Sequence, residues 1–423
     1  MAHEGTARPK EISYLGLLKT PGALSFVVPG IVGRLPQGMI GIGTVLMIAQ
    51  LRDSYALAGS VAAALALAQG VCAPMLGRLA DRWGQSRVAL GGTAIHIPAL
   101  VGLVLAATWE APTWTLFVTA ALAGATVPVL GAFSRVRWSI ITERTGGWDR
   151  ALALESIIDE VVFITGPVLA TFLTVSVAPP AALVVAAVTA GVGVLGFVTA
   201  RSSEPTPSRG ARTAGQSTRA PVILASGMIP LALVLLAMGA FFGGVDVTVV
   251  AFTEAAGTPA MAGVILGVFS LSSLVGGVLY GSRTWRASPP VRFAWSATAL
   301  GAATMLVPFA YNQVWLGIAL GVVGLAVAPT LIGGNALVAT LVRPAALTEG
   351  FTWLTVAIFV GVAAGAPITG AVIDQHGAAP ALWMAPAIGA ALIGLGWLAA
   401  RAATRAAAMG EQPTAPQRES APC

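Results

Sequence analysis

Twelve stretches of about twenty apolar residues run through this chain, each long enough to cross a bilayer as a helix. They lie near 22–50, 56–77, 88–108, 113–138, 153–176, 181–200, 224–252, 260–281, 292–311, 314–338, 352–373 and 380–400. Lipid gives a backbone no hydrogen-bond partner, so only helices or a closed barrel can span it. The runs are long and lack two-residue alternation, which excludes the barrel. Only 9% of the 423 residues are charged, against roughly 25% in a soluble domain. So little charge cannot cover a water-facing surface. The expected fold is an all-α membrane protein with twelve transmembrane helices in two pseudo-symmetric six-helix bundles.

Basic residues orient the spans, because short loops rich in Lys and Arg stay cytoplasmic. With both termini cytoplasmic, nineteen of the 23 Lys and Arg fall on one side, and Arg52 alone falls on the other. The remaining three, Arg34, Arg135 and Arg137, lie within runs. A helix more or fewer would scramble this asymmetry. It also accounts for a pI near 10 without nucleic acid as a partner. The first run follows a polar segment and carries no cleavage signature, so it reads as a retained helix. Arginine in preference to lysine, with abundant alanine, points to a bacterial source and thus to a bacterial cytoplasmic (inner) membrane. Cys72 and Cys423 are placed too differently to pair.

Residues 201–221, rich in Ser, Thr, Pro, Gly and Arg, read as a flexible cytoplasmic linker. It separates a six-helix bundle over 1–200 from another over 222–408, with a disordered tail over 409–423. The halves echo one another. Ala56-Leu-Ala-Gly59 precedes Gly77 by the same spacing at which Ala260-Met-Ala-Gly263 precedes Gly281, and both then turn basic. This is the pattern of a parallel duplication. A weaker echo, Gly370-x-x-x-Asp374-x-x-Gly377, follows the eleventh run on the opposite side, where an inverted three-helix repeat would put it.

Charge concentrates in Gly77–Arg87, GRLADRWGQSR. Asp81 stands near the negative end of a helix dipole, an unfavourable place for an anion, so it needs a compensating partner. Arg78 lies one turn back, and the positive N-terminus of another helix is a further candidate. Gly77 leaves room for a neighbouring backbone, and Gly84 permits a tight turn. In its order G-x-L-x-D-R-x-G-Q-x-R the segment resembles motif A of the major facilitator superfamily. The twelve runs, central linker and similar halves extend that resemblance over essentially the whole chain. The resemblance implies a latch: Asp81 would hold the first half to the start of helix 11, with Arg82 and Arg87 in the attached charge network. The second-half copy lacks the aspartate.

Ionisable residues inside membrane helices are costly and default to functional candidates. Glu155 and Asp159 are one turn apart on one face of the fifth run. Antiparallel packing of the fourth and fifth runs would set Arg135 and Arg137 at their depth, for a structural lock or for transport. The two arginines are about 200° apart around a helix, so both cannot face one cavity equally. Asp246 has no basic neighbour in sequence, and a lone carboxylate in an apolar site suits reversible protonation. Arg34 is its mirror case, so the two could also form an ion pair. Gln37, Phe242, Asn335 and Trp353 are candidates to line a substrate cavity. Gly166-Pro167, with Gly361, Gly365, Pro367 and Gly370, partly resembles the motif C of proton-coupled drug exporters. In those exporters the full pattern sits in helix 5, where this chain has only the Gly-Pro pair; helix packing is the other use for such glycines.

The expected function is therefore secondary transport by alternating access, with proton-coupled export of a small organic molecule first. Proton-linked uptake of a sugar or organic acid is the alternative. The partners expected are substrate, protons and the bilayer, with a monomeric chain and no cofactor beyond the proton gradient. A lipid-modifying enzyme would need a nucleophile set or metal ligands, whereas His3, His96 and His376 are scattered. A membrane sensor would need an output domain that no segment supplies.

Overall fold

Lipid forces the backbone to satisfy itself, and the described residues answer with helices throughout; no strand occurs among them. The computed structural model describes residues 14–145, 148–206, 227–283, 285–342 and 347–408. The first half contains α1 (Ala23–Arg52), α2 (Tyr55–Trp83), α3 (Gln85–Thr108), α4 (Thr113–Ala125 and Leu130–Thr145), α5 (Trp148–Ser176) and α6 (Ala181–Thr199). The second contains α7 (Met228–Ala255), α8 (Met261–Gly281), α9 (Pro289–Thr304), α10 (Gln313–Leu341), α11 (Leu347–His376) and α12 (Met384–Ala408).

Eleven of these spans are long and apolar enough to cross a membrane. The exception is α9, with 16 residues, which is extended by a 3-10 turn at Val307–Phe309. That turn contains Pro308, whose missing N–H cannot continue a helix. Together the two cover the expected ninth run. The fourth run differs from expectation in being broken: the chain unwinds at 126–129 around Pro128. The motif-A segment is mostly helical too, because α2 continues to Trp83. The turn shrinks to Gly84, whose φ of 94° suits a residue without Cβ.

We call the side bearing residues 201–206 the linker face and the opposite side the far face. Residues 207–226, most of the expected linker, and the tail from 409 lie outside the described residues. The start of the linker is ordered: Arg201–Ser203 form a 3-10 turn, and Glu204 accepts from Ser86 N (2.8 Å) and Ser86 Oγ (2.7 Å) at the N-terminus of α3. On the far face, Arg52 donates to the carbonyls of Ala106 (2.7 Å) and Ala111 (2.8 Å) at the end of α3. That contact gives the one basic residue on this side a local use, as a cation at a helix C-terminus.

Glycines set the packing within each half. Lipid tails are as apolar as leucine, so membrane helices associate through close backbone approach. Gly33 of α1 meets Gly193 of α6, and Gly38 of α1 meets Gly166 of α5. In the second half, Gly361 and Gly365 of α11 lie against Leu236 and Ala240 of α7. The glycine pattern that resembles an exporter motif is therefore occupied in helix packing.

The same device joins the halves, at positions the repeat had marked. Gly59 of α2 lies against the backbone of Ala366 and Pro367 in α11, while Gly263 of α8 lies against Val168 and Thr171 of α5. Both contacts lie towards the far face. One repeat interval towards the linker face, Gly77 and Gly281 have no neighbouring atom among the described residues within 4 Å of where a Cβ would stand. Gly59→Leu or Gly263→Leu should therefore lower stability by ~1–3 kcal/mol, the range for overpacking, read as a lowered melting temperature in detergent. Gly77→Ala and Gly281→Ala should lose nothing; equal losses at all four positions would contradict this arrangement.

Candidate functional site

The close approach of α1 and α5 at Gly38 and Gly166 brings Arg34 beside the acidic face of α5. Arg34 Nη2 lies 2.5 Å from Glu155 Oε2, and Nη1 lies 3.0 Å from Asp159 Oδ1. Arg135 Nη2 binds the other Asp159 oxygen at 2.5 Å. Trp138 Nε1 donates to Glu155 Oε1 at 2.8 Å. Gly131 faces Arg34, Arg135 and Asp159 with no side chain to crowd them. Two cations and two anions thus form a neutral cluster linking α1, α4 and α5.

Its members differ in access. The Arg34 and Glu155 side chains are 1% and 0% exposed, whereas those of Arg135 and Asp159 are 39% and 26% exposed. The cluster has a sealed end and an open end. Asp159 is served by both arginines, so a ligand could take Arg135 without leaving Asp159 unpaired.

Two expectations need correction. Arg34 is not a lone cation, and its partners are Glu155 and Asp159 rather than Asp246. Arg137 does not join the acids, because its position on α4 turns it the other way. Its Nε donates to Gln85 Oε1 at 3.0 Å, and its Nη1 donates to the carbonyls of Phe197 (2.9 Å) and Ala200 (3.0 Å). Its guanidinium lies 3.8 Å from the Phe197 ring centroid. Gln85 also donates to Phe133 O at 3.3 Å. Arg137 therefore anchors the motif-A turn to α4 and α6, adding charged donors to carbonyls in the last turn of α6, where helical hydrogen bonding thins out.

Asp246 lies in the far-side half of α7, half-buried, and has no hydrogen bond or ion pair among the described residues. Gln37 Nε2 reaches Pro128 O at the α4 break, at a long 3.4 Å; His96 Nδ1 lies 2.8 Å from Ala123 O beside the same break. Asn335 and Trp353 are exposed on α10 and α11. Phe242 packs with Phe241 and Phe269, at ring separations of 6.3 Å, so it belongs to the second-half core. Asp81, Arg82 and Arg87 are exposed. The start of α11, where a latch from Asp81 was expected, falls on 343–346 and on side chains at 347–349, outside the described residues.

A clasp does appear at the far face, built on the weaker echo. Asp374 Oδ1 accepts from Tyr55 N, and Oδ2 accepts from Ala56 N and Ser54 Oγ, each at 2.9 Å. Gly370 lets α11 approach the Tyr55 backbone. Asp374 is poorly placed for its own helix dipole but well placed at the N-terminus of α2. Tyr55 Oη also donates to Glu254 at the end of α7. Asp374 was visible as part of an echo and Gln85 as part of the motif-A order; Tyr55, Glu254, Trp138 and Glu204 carried no signal beyond residue type, because their partners are distant in sequence.

Breaking the sealed pair should be costly, since a lone buried charge remains. Arg34→Met or Glu155→Leu alone should lose ~3–5 kcal/mol, seen as poor yield and a lowered melting temperature. The double variant should recover most of that loss. A double variant as unstable as the worse single one would count against a pairing role.

The match to known proteins agrees with this architecture. No curated protein matches the sequence. Among solved structures, a variant of the nucleoside transporter NupG superimposes with a TM-score of 0.74 at 16% identity, covering 89% of this chain and 99% of that one. A variant of the peptide transporter POT gives 0.69 at 14% identity, covering 93% and 96%. A second NupG structure gives 0.67 at 16% identity, covering 91% and 99%. At such identities the likeness establishes the fold alone. Residues 30–320 match the family model of the Major Facilitator Superfamily, and with the paired six-helix halves this makes the chain a multi-pass membrane transporter of that superfamily.

Proposed function

We propose that the chain exports a small organic molecule by alternating access, in exchange for protons taken up at Asp246. One observation carries the alternating-access reading: both symmetry-related contacts between the halves, Gly59 and Gly263, are tight at the far face, while Gly77 and Gly281 at the linker face meet no atom of the described residues. Gly70 of α2 also meets Phe359 of α11 near the middle of both helices, so the contact between the halves runs from the far face to mid-membrane, and a rocking motion about that middle would give the second arrangement. In the proposed cycle the far face, closed here, and the linker face, which the excess of arginine makes cytoplasmic, open in turn.

Two reciprocal clasps would alternate. In this form Asp374, at the end of α11, caps the start of α2. Asp81, near the end of α2, would cap the start of α11 at the linker face, as the motif-A resemblance implies. Each acid is unfavourable on its own helix and favourable on the antiparallel partner, so each clasp stabilises one closure. Asp374→Ala should shift the population towards the form open at the far face. Spin labels on the far ends of α2 and α11 should then report longer distances. Distances unchanged in this variant would remove Asp374 from the gating role.

Asp246 is proposed as the proton site because its carboxylate lies in the far-side half of α7, near the inter-half contacts, with no described partner. The cluster of Arg34, Arg135, Glu155 and Asp159 lies within the first half, with its open end available to substrate. Asp246→Asn should abolish proton-driven flux in proteoliposomes while leaving substrate counterflow measurable. Coupled transport at the normal rate in that variant would falsify the assignment. Uptake is the second reading, favoured by one observation: Gly361 and Gly365 are used in packing α11 on α7, which leaves no exporter signature in α11. The sign of substrate movement under an imposed pH gradient separates the two readings.

A further inference from the structure

A groove of about 450 Å³ opens on the outer surface of the second half, between α8, α9 and α10. Its linker-face end is lined by Tyr280, Trp285, Arg292 and Trp295. From there it runs along α9 past Ala299 to Ala303, about 16 Å at the rise of an α-helix. The opposite wall is aliphatic, including Val322 and Leu325 of α10. The result is an apolar slot about as long as a lipid tail, with a cation and three aromatic rings at its mouth.

Each feature at the mouth is fixed. Trp285 Nε1 donates to Tyr280 O at 2.9 Å, and the two rings lie 4.9 Å apart. Trp295 stands edge-on to Trp397 at 5.7 Å. Tyr and Trp prefer the headgroup level, where an apolar body meets a polar edge. Arg292 Nε is buried without a hydrogen-bond partner, and an unsatisfied buried donor is costly. Arg283 and Arg286 flank Trp285 in sequence. The acids of the second half whose side chains are described, Asp246, Glu254 and Asp374, all lie in its far-side part, away from this cationic mouth.

We infer that this groove holds one anionic phospholipid from the linker-face leaflet, with an acyl tail in the slot and the headgroup phosphate at Arg292. Basic pockets between membrane helices favour such headgroups. A second groove supplies the contrast. Between α3 and α6, about 570 Å³ is lined by Ile97, Leu100, Val104, Leu183, Val188 and their aliphatic neighbours, with no polar side chain. It can take a tail but cannot select a headgroup.

The test uses full-length protein in detergent, offered equimolar phosphatidylglycerol and phosphatidylcholine with identical tails, and read by native mass spectrometry. The native chain should retain phosphatidylglycerol preferentially. Arg292→Gln should reduce that preference about fivefold, the scale of one basic residue at an anionic surface, and Arg292→Lys should keep most of it. Ala299→Trp should lower retention of both lipids by filling the slot. A photoreactive phosphatidylglycerol applied to the native chain should label the peptide around Trp285–Trp295 more strongly than the one around Leu183–Leu195. Equal retention of the two lipids, a preference unchanged by Arg292→Gln, or equal labelling of the two grooves overturns the assignment.

Discussion

The structure depends on two close glycine contacts between its halves. Gly59 against Ala366–Pro367 and Gly263 against Val168–Thr171 are related by the internal repeat, and each pairs a glycine with a segment at or next to a helix-interior proline, Pro367 or Pro167. Lipid supplies no solvent force to hold the halves together, so contact must come from shape. A glycine surface against a backbone, or against one small side chain such as Thr171, gives a close fit with little interlocking. Such a joint can separate as a rigid surface, which a jigsaw of leucines could not do without repacking.

The fold was largely legible in the sequence because lipid imposes a simple rule: a helix of about twenty apolar residues, again and again. Departures occur where a local residue overrides that rule. Pro128 breaks α4, and Pro308 converts the end of the ninth span into a tighter turn. The site was legible only in part. The i, i+4 pair Glu155 and Asp159 could be read on one helical face, and Arg135 took its expected place. Arg34 could not be assigned, because its partners lie about 120 positions away and the meeting depends on how closely α1 and α5 approach. That distance is set by Gly38 and Gly166, whose pairing no local pattern announces. Arg137 shows the converse. Its 200° offset from Arg135 ruled out a shared face, yet its true partners are a glutamine in a turn and carbonyls at a helix end.

The buried charges divide by whether rocking would alter their surroundings. Arg34, Arg135, Glu155 and Asp159 all belong to the first half. A rigid rotation of that half carries the cluster along without changing its internal distances, so the cluster cannot by itself sense which closure is made. Its contribution to a cycle is a fixed, neutral polar surface whose open end is Arg135 with Asp159.

Groups at the joint are different. In the proposed cycle Asp374 would exchange two backbone N–H donors and the Ser54 hydroxyl for water when the far face opens, and Tyr55 and Glu254 would separate with it. Asp246 lies in the same far-side half, within helix α7, which packs on the α11 that carries the clasp. In the proposed cycle, opening the far face hydrates Asp246 and its closure dehydrates it again. A carboxylate whose hydration alternates between the two forms binds a proton differently in each, and that difference is the thermodynamic requirement for coupling a proton to a conformational change. In that cycle the sealed cluster would hold the first half together while the far-side acids change their surroundings, which would put coupling at the moving joint and not at the densest concentration of charge.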